Sequence, residues 1–144
     1  MIEIVNQQRK IKIDSARWRE FAEKAIASVK EAKGKTATIA FVSDKKMRQL
    51  NHDFRSKNTT TDVLSFPFEA DEFDYEENCT TLGDIVISVE QARRQAEENN
   101  LPLELEISQL ILHGILHLCG YNHETDHGKM NTLELKLRGR LGIA

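Results

Sequence analysis

Residues 103–123 read LELEISQLILHGILHLCGYNH, and the reading of this stretch decides how the rest of the chain is arranged. Leu105, Leu110, Ile111, Leu112, Ile115, Leu116 and Leu118 spread apolar side chains around nearly the whole circumference of a helix. That pattern marks a helix buried inside the domain. The NNLP segment at 99–102 breaks any preceding helix, so this one begins near Leu103, and Gly120 ends it.

The same helix carries the chemistry. His113 and His117 are four residues apart and project from one helical face about one turn apart. Gly120 permits the left-handed backbone that stops a helix, after which His123 can reach back to the same point. The spacing H-x-x-x-H-x-x-G-x-x-H is that of the metzincin zinc site, and three protein ligands with an open fourth position define a catalytic rather than a structural ion. Without an ion, three of the chain's five histidines, within eleven residues, would leave costly polar rings unpaired on an apolar helix. One zinc-type ion per chain is therefore expected on His113, His117 and His123, with nickel, copper and iron as alternatives that suit imidazole. His127, four residues after His123, is assigned to the exposed face of a closing helix. Zinc peptidases of the H-E-x-x-H type carry a glutamate base directly after the first histidine, where this chain has Gly114. Glu124 or Asp84 would have to substitute from another direction, and the departure points towards other chemistry.

Working outward, Asp84 to Val89 (DIVISV) reads as a strand entered through Gly83, and Ser88 can cap a helix running to about Asn99. Val63 to Phe66 is a short strand ended by Pro67. Glu69 to Glu77 hold six carboxylates in nine positions, too many like charges to pack, and read as a mobile surface loop. Thr36 to Val42 (TATIAFV) is a central strand, and Ser43 or Asp44 caps a helix that carries Met47, Leu50 and Phe54 inward, with Arg55 just past its end. Asp14 or Ser15 caps an earlier helix whose stripe of Trp18, Phe21, Ala22, Ala25, Ile26 and Val29 continues until Gly34. Ile2, Ile4, Ile11 and Ile13 sit at alternate positions, as in a strand or hairpin. A closing helix is expected from about Glu124 to Arg138.

A chain of 144 residues suits one domain, 1–144, and 40% hydrophobic with 30% charged residues is an ordinary globular composition. No stretch approaches membrane-spanning length and the N-terminus does not read as a secretory signal, so the expected location is cytoplasmic. Cys79 and Cys119 are too far apart for a C-x-x-C site and read as free thiols. Cys119 points away from the histidines. The net charge of -3 hides an asymmetry: residues 1–60 hold 14 Lys or Arg against 7 Asp or Glu, and residues 61–144 hold 6 against 16. The first part can present phosphate-binding charge.

Three blocks now resemble a known family: N-H-D-F-R at 51–55 with T-D-V-L-S-F-P at 61–67, L-G-D-I-V-I-S at 82–88, and H-G-I-L-H-L-C-G-Y-N-H at 113–123. Over about Asn51 to Asp126 the chain resembles the YbeY family of metal-dependent endoribonucleases. It departs from the family's G-Y-D-H at Asn122. The resemblance implies an α/β (α+β) fold with a mixed, mostly parallel sheet of four to five strands packed with helices, and a metal site in a cleft. It implies zinc-dependent cleavage of single-stranded RNA, maturation of the 3′ end of 16S ribosomal RNA, a part in ribosome quality control, and the small ribosomal subunit as partner. Neither DNA nor a membrane is expected. His113, His117 and His123 match the metal ligands, and Arg55 with His113 is assigned to catalysis. Thr61 and Asp62 are read as ties at the start of the 63–66 strand. Asp84 is a candidate to orient Arg55 or a backbone turn, and Asn122 a candidate to act behind the ligands. The alternatives are a zinc peptidase on the same ligands, and a ribosome assembly factor whose metal is structural.

Overall fold

The structure is a computed structural model, and it describes residues 2–68, 80–122 and 125–144. The acidic loop, Cys79, His123 and Glu124 lie outside the described residues. Among the described residues there are four strands and five helices, in the order β1 (Glu3–Asn6), α1 (Ser15–Ser28), β2 (Thr36–Val42), α2 (Asp44–Arg55), β3 (Val63–Pro67), β4 (Thr81–Ser88), α3 (Val89–Glu98), α4 (Leu103–Leu118) and α5 (Lys129–Leu141). The sheet order is β1-β2-β4-β3, with β1, β2 and β4 parallel and β3 antiparallel at the edge. The expected mixed, mostly parallel sheet is present.

Strand alternation divides the core into two. Ile39 and Phe41 of β2 and Ile85 and Ile87 of β4 point to one face, where Ile111, Leu112, Ile115 and Leu116 of α4 and Trp18, Ala22 and Ile26 of α1 cover them. Val42 and Val86 point to the other face and meet Met47 of α2 and Leu64. Each fully buried Ile or Leu contributes about 1.5–3 kcal/mol. The central helix α4 can lie close against β4 because it has no side chain at Gly114. A Cβ built there would meet Ile85 Cγ2 at 2.9 Å.

Several expected boundaries shift for local reasons. Ile11 and Ile13 belong to no strand, because the Gln8 side chain takes over the backbone groups: its amide donates to the Ile11 carbonyl (2.7 Å) and its oxygen accepts from Ile11 N–H (3.0 Å). No hairpin forms, and β1 pairs in parallel with β2 instead. Helix α1 is capped by Asp14 and stops at Ser28, six residues short of Gly34. Arg55 lies within α2 as its last residue, and Ser56, at φ 56°, supplies the left-handed stop. Phe54 shares the inward face with Met47 and Leu50 but is 65% exposed, since the end of α2 overhangs the edge strand, where the Phe54 ring meets Phe66. The closing helix begins at Lys129, after the Asn122 carbonyl has accepted from Thr125 and Asp126 N–H in a turn. His127 precedes that helix in left-handed backbone and is exposed. Among the described residues no helix is long and apolar enough to cross a membrane.

Candidate metal centre

His113 and His117 project from the last turns of α4 as their four-residue spacing requires. Their Nε2 atoms face each other at 3.0 Å, with ring planes at 76°. In a tetrahedral zinc site, N–Zn bonds of ~2.0–2.1 Å put neighbouring donor nitrogens ~3.3–3.4 Å apart. The pair is thus within a few tenths of an ångström of the separation an ion requires.

The orientation of His113 is set from behind. Its Nδ1 lies 2.7 Å from Oε1 of Glu134, which reaches it from α5. A carboxylate only accepts, so Nδ1 carries the proton and Nε2 keeps its lone pair on the side facing His117. Glu134 is 8% exposed, and its other oxygen accepts from Arg138 Nη2 at 2.9 Å. Burial raises the Glu134 pKa, but the hydrogen bond from His113 and the charge and hydrogen bond of Arg138 outweigh it and hold the carboxyl below its ordinary range. Arrangements of this carboxylate–histidine kind are usual behind metal-bound imidazoles, and the donor set fits a zinc-type ion. Sequence reasoning missed Glu134. Its place in the site depends on how α5 folds back over α4, and the residue has no local signal beyond its i,i+4 spacing to Arg138.

A cleft of about 620 Å³ opens in front of the histidines, lined by Arg55 and Phe54 of α2, residues 61–67 along β3, and His113, His117 and Asn122. It runs along the edge strand, with α2 on one face of the sheet and α4 on the other. Arg55 is exposed and shares this cleft with the histidine pair. Asp62 ties down the start of β3: Oδ1 accepts from Val63 N–H (2.8 Å) and Oδ2 from Gln95 of α3 (3.0 Å). Thr61 donates to the same carboxylate at 3.4 Å. These are the ties expected of the two residues. A smaller cavity of about 280 Å³ lies on the Glu134 side of His113, lined by Asp62, Glu106, Gln109 and Arg138 among others.

Asp84 is placed elsewhere. It is exposed on β4 and shares the strand face of Val86, turned towards α2, while the histidines are on α4 across the sheet. It does not line the cleft. Gly114, at the position where a zinc peptidase carries its base, faces Ile85 of the sheet. Cys119 ends α4 away from the cleft, and its thiol is pushed up to about 11, by burial and then by Glu31, which makes it a poor nucleophile.

The family model described as endoribonuclease YbeY matches residues 3–142. The endoribonuclease YbeY of Syntrophus aciditrophicus is 40% identical over 126 residues, 88% of this chain and 78% of that one. That of Thermodesulfovibrio yellowstonii is 33% identical over 156 residues, 97% of this chain and 96% of its own. A solution structure of a Thermotoga maritima protein superposes with a TM-score of 0.64 at 27% identity, covering 98% of this chain and 89% of that one. With the family matched over nearly its whole length, the chain belongs to the endoribonuclease YbeY family.

Proposed function

We propose that this chain is a zinc-dependent endoribonuclease that cuts single-stranded RNA, with His113, His117 and His123 holding the ion and Arg55 acting on the scissile phosphate. The RNA is ribosomal, cut in maturing the 3′ end of 16S rRNA and in ribosome quality control. The partner is the small ribosomal subunit in the cytoplasm. Family membership supports the reaction class. The observation that carries the site is a single cleft holding both the facing Nε2 pair and the Arg55 guanidinium.

Phosphoryl transfer builds negative charge on the phosphate oxygens, and the residues of the cleft are suited to that charge. Arg55 is always protonated and can grip two oxygens at once. Glu134 keeps the His113 ring from rotating and holds its proton at Nδ1. A bound ion supplies Lewis acidity towards the phosphate oxygens. Gly114 disfavours the peptidase alternative, because a side chain at that position would collide with Ile85 before it could serve the cleft.

The test is cleavage of a 16S rRNA 3′-end fragment by purified protein. Loss of cleavage in His113→Ala and Arg55→Ala, with both variants folded, is expected. Full activity of either variant would remove the assignment.

A further inference from the structure

Three large apolar side chains are exposed among the described residues: Phe54 at 65%, Phe68 at 45% and Leu135 at 55%. Single exposed apolar residues are ordinary. Phe54 differs because it lines the cleft that holds Arg55, His113 and His117, and neither of the others does. It follows the inward spacing of α2 and yet remains uncovered, with one side braced by Phe66 of β3. The ring centroids are 5.2 Å apart and the planes meet at 68°, an edge-to-face contact that fixes the Phe54 ring and leaves most of it open.

The surroundings identify what would cover it. Lys45, Arg48, His52 and Arg55 recur along α2 at steps of three, four and three residues, so they form one exposed stripe that ends beside Phe54. A basic stripe beside an open aromatic ring matches a single-stranded nucleic acid, with phosphates along the charges and a base on the ring. The cleft volume of about 620 Å³ falls within the ~300–1,000 Å³ usual for small-molecule sites, enough for one everted nucleotide. We propose that Phe54, braced by Phe66, is the platform on which one unpaired base stacks beside the phosphate gripped by Arg55. A base held in a duplex cannot reach such a platform, so the stack selects single strands. This rests on the reading of the chain as an endoribonuclease.

The experiment uses the full chain with its zinc and reads the half-saturating protein concentration in single-turnover cleavage. The substrates are a short single-stranded RNA from the 16S 3′ end, the same sequence as a duplex, and a series of single strands each with one abasic nucleotide. Phe54→Ala is expected to raise the half-saturating concentration on the order of tenfold or more, the usual consequence of losing one base–aromatic stack. Phe54→Trp restores it, and Phe54→Leu, which keeps apolar bulk without a ring, does not. One abasic position should weaken the wild type by a similar factor and leave Phe54→Ala no weaker. Because Phe54 is largely exposed, all three variants should melt with the wild type. Phe54→Leu indistinguishable from wild type, or equal sensitivity to every abasic position, overturns the platform while the endoribonuclease reading stands. An extended apolar peptide that competes with the RNA in wild type and not in Phe54→Ala also overturns it, in favour of a peptide on β3. A wild type that neither binds nor cuts the single strand defeats the endoribonuclease reading and the platform together.

Discussion

Nδ1 of His113 and Oε1 of Glu134 lie 2.7 Å apart across 21 residues of sequence, so the closing helix α5 helps to orient the His113 ring as well as covering the core. Removing such a carboxylate typically costs ~10–100-fold in metal affinity. Glu134→Ala is therefore expected to weaken zinc binding by about that factor in competition with a chromophoric chelator. Glu134→Gln should lose less, since its amide oxygen still accepts from Nδ1. Unchanged affinity in Glu134→Ala would show that the carboxylate serves only to hold Arg138.

Arg55 is exposed at the end of α2, where a guanidinium adds little folding energy, since surface ion pairs are typically worth ~0–1 kcal/mol. Its loss should be felt in the rate. Arg55→Ala is expected to reduce single-turnover RNA cleavage on the order of a hundredfold or more, with melting temperature and zinc content unchanged. Arg55→Lys should recover little, because a point charge cannot reproduce the two-pronged contact. Cleavage lost together with zinc or folding would make Arg55 structural.

What was legible in the chain was local. The β2 run Thr36–Val42 and the pairing of His113 with His117 follow from periods of two and 3.6 residues, and both stand where those periods put them. What was hidden depends on contacts between distant elements. Glu134 gains its role only when α5 packs on α4. Phe54 has the spacing of a core residue, yet the sheet ends beneath it. Ile11 and Ile13 alternate like a strand, but the Gln8 amide captures their turn. Asp84 stands beside Ile85 in sequence, and one step along a strand places it on the opposite face of the sheet from α4.

The stripe Lys45, Arg48, His52 and Arg55 gives the charge asymmetry of residues 1–60 a location. Each phosphate contact to a single strand adds about 0.7 to the slope of log affinity against log salt. Lys45→Glu with Arg48→Glu should flatten that slope by more than one unit in filter binding to single-stranded RNA. Lys10→Glu with Lys24→Glu, elsewhere on the positive part, should leave it nearly unchanged. Equal effects from the two pairs would show that only overall charge matters.

Asp44 joins three elements at the start of α2, accepting from Ser88 Oγ at 2.6 Å and Thr60 Oγ1 at 3.3 Å and pairing with Arg94. Burial raises its pKa, but the hydrogen bonds from Ser88 and Arg94 and the Arg94 charge prevail and leave it below the ordinary value of 3.8. The carboxyl is thus more acidic folded than unfolded. Its stabilisation is complete above the unfolded pKa of about 4 and is lost as pH falls through the lower folded value. Asp44→Asn is expected to be less stable than wild type in urea at pH 7, with the gap closing as pH falls below the unfolded value and through the lower folded one. A gap that keeps its size as pH falls would assign the effect to geometry rather than charge.

Gly114 decides between the two hydrolase readings. If the chain were a peptidase lacking its base, Gly114→Glu would restore the H-E-x-x-H pattern and raise peptide hydrolysis. The packing predicts otherwise. A Cβ at this position would lie 2.9, 3.0 and 3.1 Å from Cγ2, Cδ1 and Cγ1 of Ile85, closer than such contacts normally come. Gly114→Ala and Gly114→Glu should each cost ~1–3 kcal/mol in urea unfolding from overpacking, and neither should cut peptides. Ile85→Ala removes all three of those atoms. Alone it should cost ~2–5 kcal/mol by leaving a cavity, and combined with Gly114→Ala it should cost clearly less than the two separately. Additive costs would mean that α4 does not rest on Ile85 as described, and peptide hydrolysis by Gly114→Glu would return the peptidase to first place.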